Sequence, residues 1–217
     1  MNQPFPFERR GGPPTAFIVL GVTVVAYFVQ MTALSDVIRL FALWPLSTPD
    51  QIRFSDTGVM DTGFMPWQVV TYGLLHGDLM HLFFNMFALY MFGVPVERVW
   101  GARRFLTYYF VCLVGAGLIQ LLVAAVTGDI YPTIGASGAV FGLLLAYGLM
   151  FPNSTIMLLI PPVPMKAKYF VVGYGLLTLF FGMTGTMSGV AHFAHLGGML
   201  FGFLLILYWG SRRRRRR

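Results

Sequence analysis

Charge is what this chain lacks most. Only 11% of its 217 residues are Asp, Glu, Lys or Arg, against roughly a quarter in an ordinary soluble domain. Acidic residues number eight, and cysteine occurs once, as Cys112 inside an apolar run. A single cysteine excludes an intrachain disulfide and any thiolate-based metal site. A distributed basic face for nucleic acid is missing too. The net charge is +7, but the run Arg212 to Arg217 supplies six of it and leaves +1 for everything else, so no nucleic-acid partner is expected. There is no internal repeat, which argues against an inverted-repeat transporter.

What is present is apolar length. Hydrophobic residues make up 57% of the chain and the mean hydropathy is +0.71. A helix needs about 20 such residues to cross the ~30 Å hydrocarbon core. Six stretches approach that length, at about 15–34, 79–96, 104–126, 137–151, 168–187 and 190–209. The first exceeds the ~7–15 residues of a signal-peptide core and is read as a retained span. The expected fold is an all-α polytopic membrane protein: one domain over 15–210, a short N-terminus at 1–14 and a basic tail at 211–217.

Lys and Arg alternate by connection. Arg9 and Arg10 precede the first span, and Arg98, Arg103 and Arg104 follow the second. Lys166 and Lys168 precede the fifth, and the arginine run follows the sixth. The opposite side has only Arg39 and Arg53, with Asp36, Asp50, Asp56, Asp61, Asp78 and Asp129. By the positive-inside rule both termini are cytoplasmic. The long connection 35–78 mixes Trp44, Phe54, Phe64 and Trp67 with acids, a composition suited to the outer interface.

Strongly polar groups cost several kcal/mol in a bilayer core unless paired or hydrated, so they mark functional candidates. His81 and Asn85 share one face of the second span, Ser137 opens the fourth, and His195 lies near the start of the sixth. All three spans run inward in the derived topology, which puts these groups in the outer leaflet. A rise of ~1.5 Å per residue sets Ser137 and His195 at similar depth, ~7–8 Å down. The short fourth helix leaves the backbone 129–136 non-helical at that level, which is tolerated only inside protein or beside a water-filled cavity. Free N–H groups at the helix start suit a developing oxyanion, and His81 and Asn85 add side-chain donors. Gly138 and Gly142 face Gly198 and Gly202 as two small-residue stripes that allow close helix approach. No acid neighbours His195 in sequence, which favours a Ser-His dyad.

Taken together, His81-x-x-x-Asn85, Gly135-Ala136-Ser137-Gly138 and Ala194-His195-Leu196-Gly197-Gly198-x-x-x-Gly202 resemble the rhomboid intramembrane serine proteases of the compact bacterial type, with six transmembrane helices. The resemblance runs from about Trp44 to Gly210. It implies hydrolysis of a peptide bond in or near the transmembrane segment of single-span membrane substrates, with no cofactor. Ser137 would be the nucleophile and His195 the general base and acid. His81, Asn85 and the Ser137 backbone N–H would form the oxyanion hole, and a bacterial inner membrane would be the location. Two positions depart from the family: Trp67-Gln68 replaces a frequent Trp-Arg pair, and Phe141 stands where a Tyr often packs on the histidine. Glu97-x-x-x-Gly101 with Arg103 and Arg104 resembles the family's cytoplasmic turn, in a structural role.

His76 and His192 sit near the aqueous entrance, where structural and functional roles are both open. Asp78 is read as a first-turn acid of the second helix, and the arginine tail as a lipid-contacting end. Two other classes compete with a protease. One is a metal- or haem-binding membrane protein using the four histidines, which lacks a carboxylate or thiolate to complete a site. The other is a non-catalytic rhomboid-like helix binder, a class that usually lacks the serine or the histidine.

Overall fold

The computed structural model describes residues 14–54, 58–157, 162–185 and 190–215. Five helical segments are long and apolar enough to cross a membrane: Thr15–Thr32, Leu79–Trp100, Ala102–Thr127, Ala167–Thr184 and His192–Arg212. Helix is what such runs must form, because inside a bilayer each backbone N–H and C=O has to bond within its own segment. A sixth apolar helix, Ser137–Met150, has only 14 residues and is ~21 Å long.

In chain order the helices are α1 (Thr15–Thr32), α2 (Leu34–Phe41), α3 (Gln68–Thr71), α4 (Leu79–Ala88), α5 (Val94–Trp100), α6 (Ala102–Thr127), α7 (Ser137–Met150), α8 (Ala167–Thr184) and α9 (His192–Arg215). The second crossing is α4 and α5 joined by a π-helical segment, Leu89–Gly93. Pro95 follows two residues on; it has no N–H for the preceding turn, and the widened register accommodates it. This crossing ends at Trp100 rather than near 96, and α9 begins at His192 rather than 190. Two antiparallel hairpins, Gln51–Phe54 with Gly58–Asp61 and Thr155–Met157 with Pro164–Lys166, add a little strand to a fold expected to be all helix.

The core is built by α6, α7 and α9, with α7 innermost. Nine of the 14 residues of α7 are buried. Helix α8 is the opposite case: it buries only Ala167, Val171 and Thr178 and leaves Tyr169, Val172, Leu176, Phe180 and Met183 exposed. Apolar surface on this scale, continued by Val25, Phe28 and Leu122, is a lipid-facing surface.

Polar side chains buried in this bundle mostly satisfy backbone. Thr15 and Ala16 at the start of α1 lack a side-chain cap of their own, and the Glu97 carboxylate of α5 accepts both N–H groups, at 2.6 and 2.8 Å. That places an anion at a helix N-terminus, the favourable end. At the other end of α1, the Gln30 carboxamide pairs with the backbone of His76, donating to its carbonyl at 2.8 Å and accepting from its N–H at 3.1 Å.

Gln68 organises the long 33–78 connection. Its side chain is fully buried. The carbonyl oxygen accepts from the N–H groups of Trp44 (3.2 Å) and Met65 (3.1 Å), and the NH2 donates to the carbonyls of Arg39 (3.2 Å) and Gly63 (3.3 Å). These four bonds exhaust the capacity of a carboxamide. Trp67 Nε1 donates to the Leu40 carbonyl at 2.7 Å and Thr71 Oγ1 to that of Phe41 at 2.8 Å, so α2 is tied to α3 at several points. A neutral amide does here, by hydrogen bonding alone, what joins the loop together.

Replacing Gln68 with Leu leaves the buried N–H of Trp44, the half-buried N–H of Met65 and two carbonyls without partners. At ~1–3 kcal/mol for each unsatisfied group, part of it relieved by relaxation, Gln68→Leu is expected to cost roughly 2–4 kcal/mol. The checks are a lowered thermal midpoint in detergent and faster proteolysis within 39–68.

Candidate active site

Ser137 is the first residue of α7, and its N-cap, Ala136, provides no side-chain cap. The N–H groups of the first turn are therefore free for something else. The backbone leading into it, from Gly128 to Ala136, is not helical, yet it is anchored by protein. Leu43 and Thr133 exchange two backbone bonds at 3.0 and 2.9 Å, and the Gly135 N–H donates to the Tyr72 carbonyl at 2.9 Å. Tyr72 is itself buried and donates its hydroxyl to the Leu113 carbonyl of α6 at 2.7 Å.

Across from it, His195 lies in the first turn of α9, three residues after His192, and its Nε2 stands 2.7 Å from Ser137 Oγ. What permits this contact is missing side chain. A Cβ on Gly198 would overlap the backbone carbonyl of Gly138, and one on Gly142 or Gly202 would run into Cys112 or Tyr108. Gly198 thus lets α7 and α9 meet at backbone distance, while Gly142 and Gly202, instead of facing each other across that seam, seat α6, whose Tyr108 donates to the Gly142 carbonyl at 2.8 Å. One turn after the serine, Phe141 stacks on the His195 ring at 4.2 Å between centroids and 12° between planes. Tyr174 of α8 stacks behind Phe141 at 4.9 Å. The flat packing holds the imidazole without a hydroxyl. Among the described residues, Ser137 is the sole hydrogen-bond partner of the His195 side chain.

The second span supplies the opposite wall. Asp78 is the N-cap of α4 rather than a first-turn residue, and its carboxylate accepts from the His81 N–H at 2.8 Å. The Gly77 N–H donates to His81 Nδ1 at 3.3 Å, so in the neutral ring the proton sits on Nε2. That edge lies against the serine loop: a Cβ on Gly135 would come within 2.9 Å of His81 Nε2 and 3.8 Å of Ser137 Oγ. Gly135 also has φ +122°, a conformation that side chains resist. Asn85, one turn along α4, is buried and donates Nδ2 to the His81 carbonyl at 2.9 Å. Its amide keeps a second hydrogen.

All four histidines of the chain gather here in two edge-on pairs. His76 packs against His81 at 4.9 Å and 66°, and His192 against His195 at 6.3 Å and 85°. Both ring nitrogens of His76 and the Nε2 of His192 are buried without a hydrogen-bond partner. Burial, reinforced by the adjacent His81, pushes the His76 imidazole down to about 4, so it is neutral at pH 7. Among the described residues, no three His, Cys, Asp or Glu are grouped to hold a metal ion. Sequence reasoning missed Gln30 and Tyr72 as supports of the site. An amide inside an apolar helix was a usable signal for the first; the second gave none.

A family model described as the rhomboid domain matches residues 63–212. The chain is 33% identical over 153 residues to the rhomboid YdcA of Bacillus subtilis, covering 69% of this chain and 70% of that protein. It is 32% identical over 144 residues to the rhomboid protease GluP of the same organism, covering 63% and 25%. RHOMBOID-like protein 4 of Arabidopsis thaliana is 32% identical over 169 residues, covering 74% and 40%. The chain thus spans well under half the length of the last two.

The close approach of α7 and α9 makes a sharp stability prediction. Gly198→Ala puts a methyl group into the Gly138 carbonyl, and overpacking of this kind costs ~1–3 kcal/mol or more. Gly210→Ala, on the same helix with open space around it, is neutral or gains up to ~1 kcal/mol. Thermal unfolding of both variants in one detergent reads the contrast.

Proposed function

The chain belongs to the rhomboid family of integral membrane proteins, and on that premise we propose that it is an intramembrane serine endopeptidase. Its substrates would be single-span, membrane-anchored proteins, cleaved in or near their transmembrane segment. The observation that carries this reading is the 2.7 Å contact between Ser137 Oγ and His195 Nε2 at the starts of two packed helices.

In this mechanism His195 Nε2 takes the Ser137 proton as Oγ attacks the scissile carbonyl, then returns it to the leaving amine. The resulting acyl-enzyme is hydrolysed by a water activated in the same way. Charge developing on the carbonyl oxygen is met by the Ser137 backbone N–H, the Nε2–H of His81 and the free amide hydrogen of Asn85. Donors fixed before the reaction cost no reorganisation when charge appears, which is why they count for more here than in water. Phe141 keeps the imidazole in plane. The machinery uses side chains and backbone only and calls for no cofactor.

The topology belongs to the same proposal. Both termini are cytoplasmic, as the arrangement of Lys and Arg implies, and the site opens toward the outer side of a bacterial inner membrane. The working unit is 15–210, with 1–14 as a short cytoplasmic lead and 211–217 as a basic tail against anionic lipid.

The direct test is reconstitution with a tagged single-span substrate. The wild type releases a cleaved fragment, and Ser137→Ala and His195→Ala abolish release while retaining the wild-type thermal midpoint. Undiminished cleavage by the serine variant would sink the mechanism. Asn85→Ala is expected to lower kcat by ~10²–10³, the scale of losing one oxyanion donor.

A further inference from the structure

The dyad leaves one nitrogen of the catalytic imidazole unaccounted for. When Nε2 takes the serine proton, the ring becomes a cation, and its Nδ1–H then requires an acceptor. In many hydrolases a carboxylate fills that place. Here the ring that meets His195 edge-on is His192 on its own helix, and His81 of α4 lies across the serine loop. Helix α7 presents Ser137 and Phe141, α8 presents Tyr174 behind Phe141, and α6 presents the apolar Ala116 and Ile119 to this part of α9.

His192 has the complementary problem. It opens α9, is 9% exposed and packs against Phe181 of α8 at 5.8 Å, with Gly182 close behind it. Its Nε2 is buried with no partner, a state that costs free energy unless function or water relieves it. The two rings are edge-on at 6.3 Å between centroids. A direct N–H···N bond of about 3 Å would set them roughly 5 Å apart, and one intervening water widens that by ~1–2 Å. In length the spacing matches a pair bridged by one water, which the Nε2 of His192, closed to solvent in this packing, would open to receive.

We propose that His192 is a positioning residue for His195, accepting through one bridging water the Nδ1–H of the imidazole and so completing a Ser137-His195-His192 series. The inference rests on the protease reading above. No net proton moves to His192. The proton taken from Ser137 stays on His195 until the leaving amine receives it, and His192 contributes a lone pair that orients the ring and favours its protonated form. The bilayer supplies the reason for a neutral acceptor, since a buried carboxylate in this position would carry a large desolvation cost.

The test compares His192→Phe, which keeps a ring against Phe181 and removes both nitrogens, with His192→Asn, which keeps an acceptor. Cleavage of one reconstituted single-span substrate is followed from pH 5 to 9, with thermal midpoints measured alongside. The expected result for His192→Phe is a kcat plateau ~10–100-fold lower with KM within threefold, and an acid limb of the kcat/KM profile moved to lower pH. His192→Asn is expected to recover at least a third of the plateau. If His192→Phe does not fold, His192→Leu against His192→Asn gives the same comparison. The proposal is overturned if the nitrogen-free variant keeps kcat within threefold of wild type. Equal losses in both variants with the acid limb in place would overturn it as well, since that is the signature of packing alone. Failure of the protease reading looks different: the wild type does not cleave, or Ser137→Ala still does.

Discussion

Everything at this site depends on two helix backbones being allowed to touch. Helices in lipid have no hydrophobic drive toward one another, because lipid tails are as apolar as leucine, so association relies on packing and interhelical hydrogen bonds. At Gly198 the α9 backbone meets the Gly138 carbonyl of α7 with no room for a methyl group. Since Ser137 and His195 lie one and three residues from that contact, the glycine pair sets the distance between them. The Tyr108 hydroxyl on the Gly142 carbonyl adds an interhelical bond of the kind worth ~0.6 kcal/mol in a membrane, at most ~1.7. Packing therefore outweighs polar glue in holding Ser137 and His195 together.

The second constraint is that irregular backbone at this depth must find partners within protein. The short α7 creates the need, because its late start leaves a stretch of loop in the bundle. The Leu43–Thr133 bridge and the Gly135 bond to Tyr72 meet it, and the Gln30 carboxamide does the same for the backbone at His76, before α4. Gln68 does the same for the connection around α2. These side chains do no chemistry. They keep the backbone around Ser137 hydrogen-bonded within protein, and they make the positions of His81 and Ser137 a consequence of a rigid frame.

Much of this was legible in sequence. Hydrophobic length alone located the five segments long enough to cross and the shorter α7, and the polar residues standing against that background included Ser137, His195, His81 and Asn85. The glycine stripes were visible as spacing. Harder to see were the register details: the π-helical segment before Pro95, the start of α9 at His192, and the capping role of Asp78. The hairpins were not visible because strands of three or four residues carry too little pattern.

The sequence by itself determined that the chain is a helical membrane protein and which few polar groups its bilayer segments contain, because transfer energy acts on each residue independently of its neighbours. Only the tertiary structure decided which of those groups meet. That His195 faces Ser137 at 2.7 Å, that Phe141 lies flat on the imidazole, and that the histidines divide into two edge-on pairs depend on rotation and approach between helices far apart in the chain. Such contacts follow from packing shape, which no single segment contains.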